Sequence, residues 1–82
     1  MYKVYGKDNC RYCDAAVKLL EQKQQSYVQL KVERDFTREM LFEIVPHAKT
    51  YPQIFYKDEY IGGYEQLVER FKNYDPARFL SE

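Results

Sequence analysis

A chain of 82 residues, 45% apolar with nine Tyr, five Phe and no Trp, holds one domain whose marginal core must draw much of its area from large rings. Thirteen basic and thirteen acidic side chains leave no formal net charge, which removes the broad electrostatic footprint of a nucleic-acid or anionic-membrane binder. No apolar run reaches the length of a membrane span, and the start, MYKVYGKDN, lacks the apolar stretch of a secretory signal, so the cytoplasm is the expected compartment.

Tyr2 to Tyr5 are strand formers closed by Gly6, which predicts a short first strand and a loop over Lys7–Asn9. The period then changes: Cys13, Ala16, Val17 and Leu20 recur on one helical face, with Lys18, Glu21 and Lys23 turned away, so a helix begins close to Cys10. After the polar break QKQQS, Tyr27 to Val32 alternates Tyr27, Gln29 and Lys31 with a more apolar face of Val28, Leu30 and Val32, a second strand. Strand, helix and strand within about thirty residues predict a parallel pair joined by a right-handed crossover. A second helix starts near Thr37 as N-cap, carries Met40, Leu41, Ile44 and Val45, and stops at Pro46, with Phe36 stapling its start.

Beyond HAKTY, Pro52–Tyr56 and Tyr60–Gly62 flank KDE and predict an antiparallel hairpin. Gly62 and Gly63 lead into a third helix with Leu67, Val68 and Phe71 inward. The closing DPARFLSE reads either as a further helical turn around Phe79 and Leu80 or as a frayed end. No linker, repeat or low-complexity tract divides the chain, so the order β-α-β-α-β-β-α forms a single domain over residues 1–82.

The chemistry concentrates at Cys10 and Cys13. A thiolate is the attacking species, and an ordinary thiol of pKa about 8.5 is brought down to roughly 3.5–7.5 by a helix N-terminus or nearby cations. Cys10 has both, at the mouth of the helix with Lys7 before it and Arg11 after it. Cys13, one turn inside on the apolar face, is the more sheltered, which assigns attack to Cys10 and resolution of the mixed disulfide to Cys13. Two other readings stand beside this one: half of a zinc site, for which the chain offers only His47 and no third Cys, and an inert pair of small core residues.

Three motifs follow one another: Lys7, Cys10, Tyr12 and Cys13 as K-x-x-C-x-Y-C, Thr50 to Phe55 as T-x-P-Q-I-F, and Ile61 to Tyr64 as I-G-G-Y. With them the sequence resembles the glutaredoxins of the thioredoxin superfamily, the small bacteriophage members above all, from Tyr2 to about Lys72. The resemblance implies an α/β, thioredoxin-like fold with a four-stranded mixed sheet and helices on both faces. It implies a cis Pro52 facing the dithiol, with the backbone of Tyr51 open to an extended peptide such as glutathione. Gly62, Gly63 and the helix start at Tyr64, Glu65 and Gln66 then correspond to the end that takes the γ-glutamyl carboxylate. Lys7 corresponds to the cation near the glycyl carboxylate, with Arg38 assisting, and Arg11, Tyr12 and Thr50 complete the expected binding set. No metal and no tightly bound cofactor is expected, with glutathione as cosubstrate.

The departures carry expectations of their own. Arg11 stands where most glutaredoxins have Pro, which predicts a still acidic Cys10 and an altered redox potential. Gln66 is assigned to the helix's second position, usually acidic in the family, with Glu65 beside it to repel an anionic ligand. Tyr51 replaces the usual Val and is expected to crowd the groove, and His47, in the place of a frequent Gly, reads as a surface residue.

The resemblance implies a monomeric dithiol-disulfide oxidoreductase that reduces protein disulfides or glutathione mixed disulfides. Glutathione or a flavoprotein such as thioredoxin reductase returns it to the dithiol, and ribonucleotide reductase is the implied client of viral members, in the host cytoplasm. No nucleic acid or membrane enters this reading. Two readings from other classes remain at this point: an iron-sulfur cluster shared by two chains through Cys10 and glutathione, and a non-catalytic interaction domain that keeps the fold.

Overall fold

The computed structural model describes residues 1–72, so the expectation for DPARFLSE lies outside the described residues. The elements are β1 (Tyr2–Gly6), α1 (Arg11–Gln22), β2 (Tyr27–Lys31), α2 (Arg38–Ile44), β3 (Gln53–Tyr56), β4 (Glu59–Gly62) and α3 (Tyr64–Lys72). One sheet orders them β2-β1-β3-β4, with β1 parallel to β2 and antiparallel to β3, and β4 antiparallel to β3. The expected mixed sheet and crossover are therefore present.

The pleat explains why both faces of the sheet are covered. Tyr2 and Val4 of β1 and Ile54 of β3 face one side, where they bury against Ala16 and Leu20 of α1 and Leu67 and Phe71 of α3. Tyr5 and Phe55, each one residue out of step, face the other side and meet Phe36, Leu41, Val45 and Ala48 around α2. Val4, Leu20, Ile54 and Leu67 are wholly buried, each burial stabilising by about 1.5–3 kcal/mol relative to exposure. Tyr2 closes the far end of the first core, its ring 4.7 Å from that of Tyr56 and its hydroxyl accepting from Arg70 Nε at 2.9 Å.

α2 shows how a short element is held. Thr37 caps it, its Oγ1 accepting from the Met40 N–H at 3.1 Å, while Phe36 and Leu41, on either side of the cap, share one buried cluster as a hydrophobic staple does. The helix has only seven residues, and two turns bury one narrow stripe. Met40 and Ile44 are therefore 53% and 52% exposed, while Leu41 and the following Val45 carry the packing.

Two further exposed apolar residues have similar causes. Val28 lies on the edge strand β2, where flanking cover ends, and is exposed. Val68, expected on the inner face of α3, is also exposed, because the packed stripe runs through Tyr64, Leu67 and Phe71 and leaves it one step around the helix. The hairpin turn is tighter than KDE suggests: Tyr56 pairs with Glu59, so only Lys57 and Asp58 turn, with Lys57 at φ 56°.

Candidate active site

Cys10 is the N-cap of α1, and Cys13 is joined to it by a disulfide with Cα atoms 5.2 Å apart. The Cys13 N–H donates to Cys10 Sγ at 3.2 Å, the bond a capping oxygen ordinarily accepts. The same N–H, a first-turn donor with no partner inside the helix, favours negative charge on that sulfur once the pair is reduced. Cys10 is 7% exposed and Cys13 wholly buried, so the outer sulfur is the one a substrate reaches first. Gly6 makes room for the inner one: a Cβ there would stand 2.9 Å from Cys13 Sγ.

The opposite wall is the segment before β3. The Tyr51–Pro52 peptide is cis, and the Tyr51 carbonyl oxygen lies 3.9 Å from Cys10 Sγ. A cavity of about 320 Å³ opens beside it, lined by Tyr12, Thr50, Tyr51, Pro52, Gly63, Tyr64, Glu65 and Gln66. Three motifs far apart in sequence thus meet on one groove. The rings of Tyr12 and Tyr64 stand 5.7 Å apart across it, the former largely exposed.

The remaining sequence-predicted residues surround this groove without lining it. Lys7 Nζ sits 6.0 Å from the centre of the Tyr51 ring, and that ring also lies 6.5 Å from Phe36. Tyr51 therefore leans on the α2 core as well as forming a groove wall. Arg38 borders a separate hollow of about 40 Å³ behind Tyr51 and Thr50, together with Lys49. Arg11 is the first residue of α1 and points to solvent. Gly62 adopts φ 127°, and a Cβ there would fall 2.8 Å from Gln66 Cβ.

The start of α3 corrects one expectation. The helix opens at Tyr64, so Glu65 holds its second position and Gln66 its third. Gln66 Oε1 accepts from the Gly63 N–H at 2.9 Å, the third-position half of a capping box. Its amide thus secures the helix entry, and Glu65 supplies the negative charge that the helix dipole favours.

Sequence reasoning missed Lys49, a cation immediately before the T-x-P motif, and Gly6, whose signal is only its place at a strand end. It also missed the support behind Thr50: Gln53 is buried, with Nε2 donating to the Thr50 carbonyl at 2.8 Å and Oε1 accepting from the Tyr60 hydroxyl. Burial raises the Tyr60 pKa above the ordinary 10.0. His47 is exposed and meets the Tyr60 ring edge-on at 5.9 Å, and no group of three or more potential metal ligands occurs among the described residues.

The glutaredoxin family model matches residues 3–61. The glutaredoxin of Enterobacteria phage T4 is 37% identical over 87 residues, spanning 88% of this chain and 100% of that protein. Glutaredoxin 1 of Rickettsia conorii is 33% identical over 69 residues, spanning 80% of this chain and 67% of its own. The crystal structure of a buckwheat glutaredoxin-glutathione complex shares the fold with a TM-score of 0.77 at 23% identity, over 98% of this chain and 76% of that one. A match of this extent, carried by a chain that sets two cysteines at a helix mouth, shows that it belongs to the glutaredoxin family and is a thiol-disulfide oxidoreductase.

Proposed function

We propose that the protein reduces disulfides of client proteins and mixed disulfides of glutathione, with Cys10 as nucleophile and Cys13 as resolving thiol. The observation that carries this reading is the position of Cys10 Sγ, the outer sulfur of the pair, 3.9 Å from the Tyr51 carbonyl oxygen beside an open groove. In the first step the Cys10 thiolate attacks one sulfur of the client disulfide, forming a mixed disulfide and releasing the other sulfur as a thiolate that takes up a proton. Cys13, having lost its proton to solvent, then attacks Cys10 Sγ and releases the second client thiol. The client gains two electrons, and the enzyme keeps the Cys10–Cys13 disulfide. Two molecules of glutathione, or thioredoxin reductase, return those electrons.

Glutathione suits the groove as an extended peptide whose backbone pairs with Tyr51. The buckwheat relative is described as a glutathione complex, which supports this ligand here. Lys7 and Arg38 serve one carboxylate, and the first N–H groups of α3 serve the other. Ribonucleotide reductase, the client implied for viral members of the family, is consistent with the likeness to a phage glutaredoxin, and the working unit of this proposal is a single chain in the host cytoplasm. Cys10→Ser abolishes disulfide reduction with glutathione as donor, whereas Cys13→Ser keeps only the removal of glutathione from mixed disulfides. Retained activity in the first variant, or full dithiol activity in the second, overturns the assignment.

A further inference from the structure

Behind the groove lies a buried polar side chain that the sulfur chemistry leaves unused. Gln53 is 5% exposed and opens β3 directly after Pro52. An apolar residue there would fill the space without the cost of burying an amide. Both ends of this amide are instead engaged, with Nε2 on the Thr50 carbonyl at 2.8 Å and Oε1 under the Tyr60 hydroxyl of β4. Tyr60 is itself packed on Phe55, ring centres 5.2 Å apart, and on His47. Thr50, Tyr51 and Pro52 belong to no helix or strand, yet Tyr51 faces Cys10. They are suspended between the dithiol and a two-link hydrogen-bond chain to the sheet edge.

We propose that Gln53 and Tyr60 are positioning residues for thiol-disulfide exchange, holding Thr50–Pro52 where the Tyr51 backbone meets a peptide lying over Cys10. The proposal rests on the groove being a peptide site. A segment already fixed needs no ordering when the peptide binds, so its loss weakens capture. Neither side chain bonds a sulfur, so the exchange step itself is left intact.

The test uses pre-reduced protein in single turnover with two probes, a glutathionylated peptide and 2-hydroxyethyl disulfide, which has no backbone to pair. Tyr60→Phe, which removes one link, is expected to raise the half-saturating peptide concentration about three- to tenfold, and Gln53→Met, which removes both, to raise it at least as much. Their limiting rates, and their rates with 2-hydroxyethyl disulfide, stay within about twofold of wild type. Gln53→Glu adds a readout that a structural role would not move. Its protonated carboxyl donates to the Thr50 carbonyl as the amide did, so its half-saturation matches wild type in acid and rises as the carboxyl ionises. The titratable groups facing that position, Tyr60 and beyond it His47, are present in wild type too, so the ratio of variant to wild type isolates the carboxyl.

Variants that lose thermal stability with unchanged half-saturation overturn the positioning role, as does an equal slowing with both probes or a pH-independent ratio for Gln53→Glu. A wild-type protein that takes the peptide no better than 2-hydroxyethyl disulfide overturns the groove reading first, and the positioning role with it.

Discussion

Gly62→Ala strikes the junction between β4 and α3 on which the groove depends. Gly62 has φ 127°, a region that L side chains rarely adopt, and such a residue costs about 1–3 kcal/mol in strain. The new Cβ would also meet Gln66 Cγ at 2.7 Å and Gln66 Cβ at 2.8 Å, atoms near the root of that side chain that have little room to yield. Displacing Gln66 breaks its bond to the Gly63 N–H, worth about another 0.5–1.5 kcal/mol. Together these predict a loss of about 2–4 kcal/mol, or a Tm lower by about 10–25 °C for a domain of this size. Gly63→Ala is the control: its φ carries no strain, and its Cβ meets only Gln66 Oε1 and the Pro52 carbonyl oxygen at 3.4 Å, an ordinary contact. Stability there stays within about 1 kcal/mol. Urea denaturation of both variants measures the difference. A Gly62→Ala loss below about 1 kcal/mol, or equal losses at the two glycines, refutes the reasoning.

Gly6→Ala would place its Cβ 2.9 Å from Cys13 Sγ; displacement of that sulfur costs about 1–3 kcal/mol and slows resolution of a trapped mixed disulfide, followed by quenched-flow alkylation. Asp35 is held below the ordinary carboxyl value of 3.8, first by its hydrogen bond from Arg34 and then by the Lys31 N–H. Its stabilisation is therefore complete above the unfolded value and lost as pH falls through the lower folded one; Asp35→Asn flattens that part of an acid unfolding curve. Tyr60 behaves oppositely, since burial raises its pKa: the fold favours the neutral phenol, and stability falls as pH rises past 10.0. Tyr60→Phe removes that alkaline loss, and ultraviolet titration detects one late-ionising tyrosine fewer.

The order of elements and the groove residues were legible because their signals are local or tied to a motif. Pro52 as a cis residue and Gly62 before α3 each occupy a backbone geometry that few other residues satisfy, and the change of period after Asn9 sets Cys10 at the helix mouth. What escaped was the extent of burial and the partners of long side chains. Met40 and Ile44 sit at helical spacing with one another and flank Leu41, but periodicity does not reveal that the helix is two turns long and covers one strip of sheet. The sequence assigns Gln66 to the second position of α3; only the start of the helix at Tyr64 shows that its amide turns back on Gly63. The role of Gln53 is invisible in the T-x-P-Q-I-F motif, because its partners, Thr50 in the preceding loop and Tyr60 on β4, share no sequence pattern with it.

Arg11 stands where most glutaredoxins have Pro, and its position limits its effect on Cys10. As the first residue of α1 it is solvent-exposed beside Cys10, whereas the Cys13 N–H is fixed at 3.2 Å from the Cys10 sulfur and shielded from water. An exposed cation on a flexible stem loses most of its attraction to solvent and salt, while a buried, oriented N–H keeps its own. The cap bond, more than Arg11, therefore governs how readily Cys10 reacts. Arg11→Gln is expected to slow iodoacetamide alkylation of reduced Cys10 at mildly acidic pH by at most about fivefold, with the difference vanishing near 1 M salt. A larger effect, or one that salt leaves untouched, would mean that the guanidinium docks on the sulfur in the reduced protein, and the primacy given to the cap would be lost.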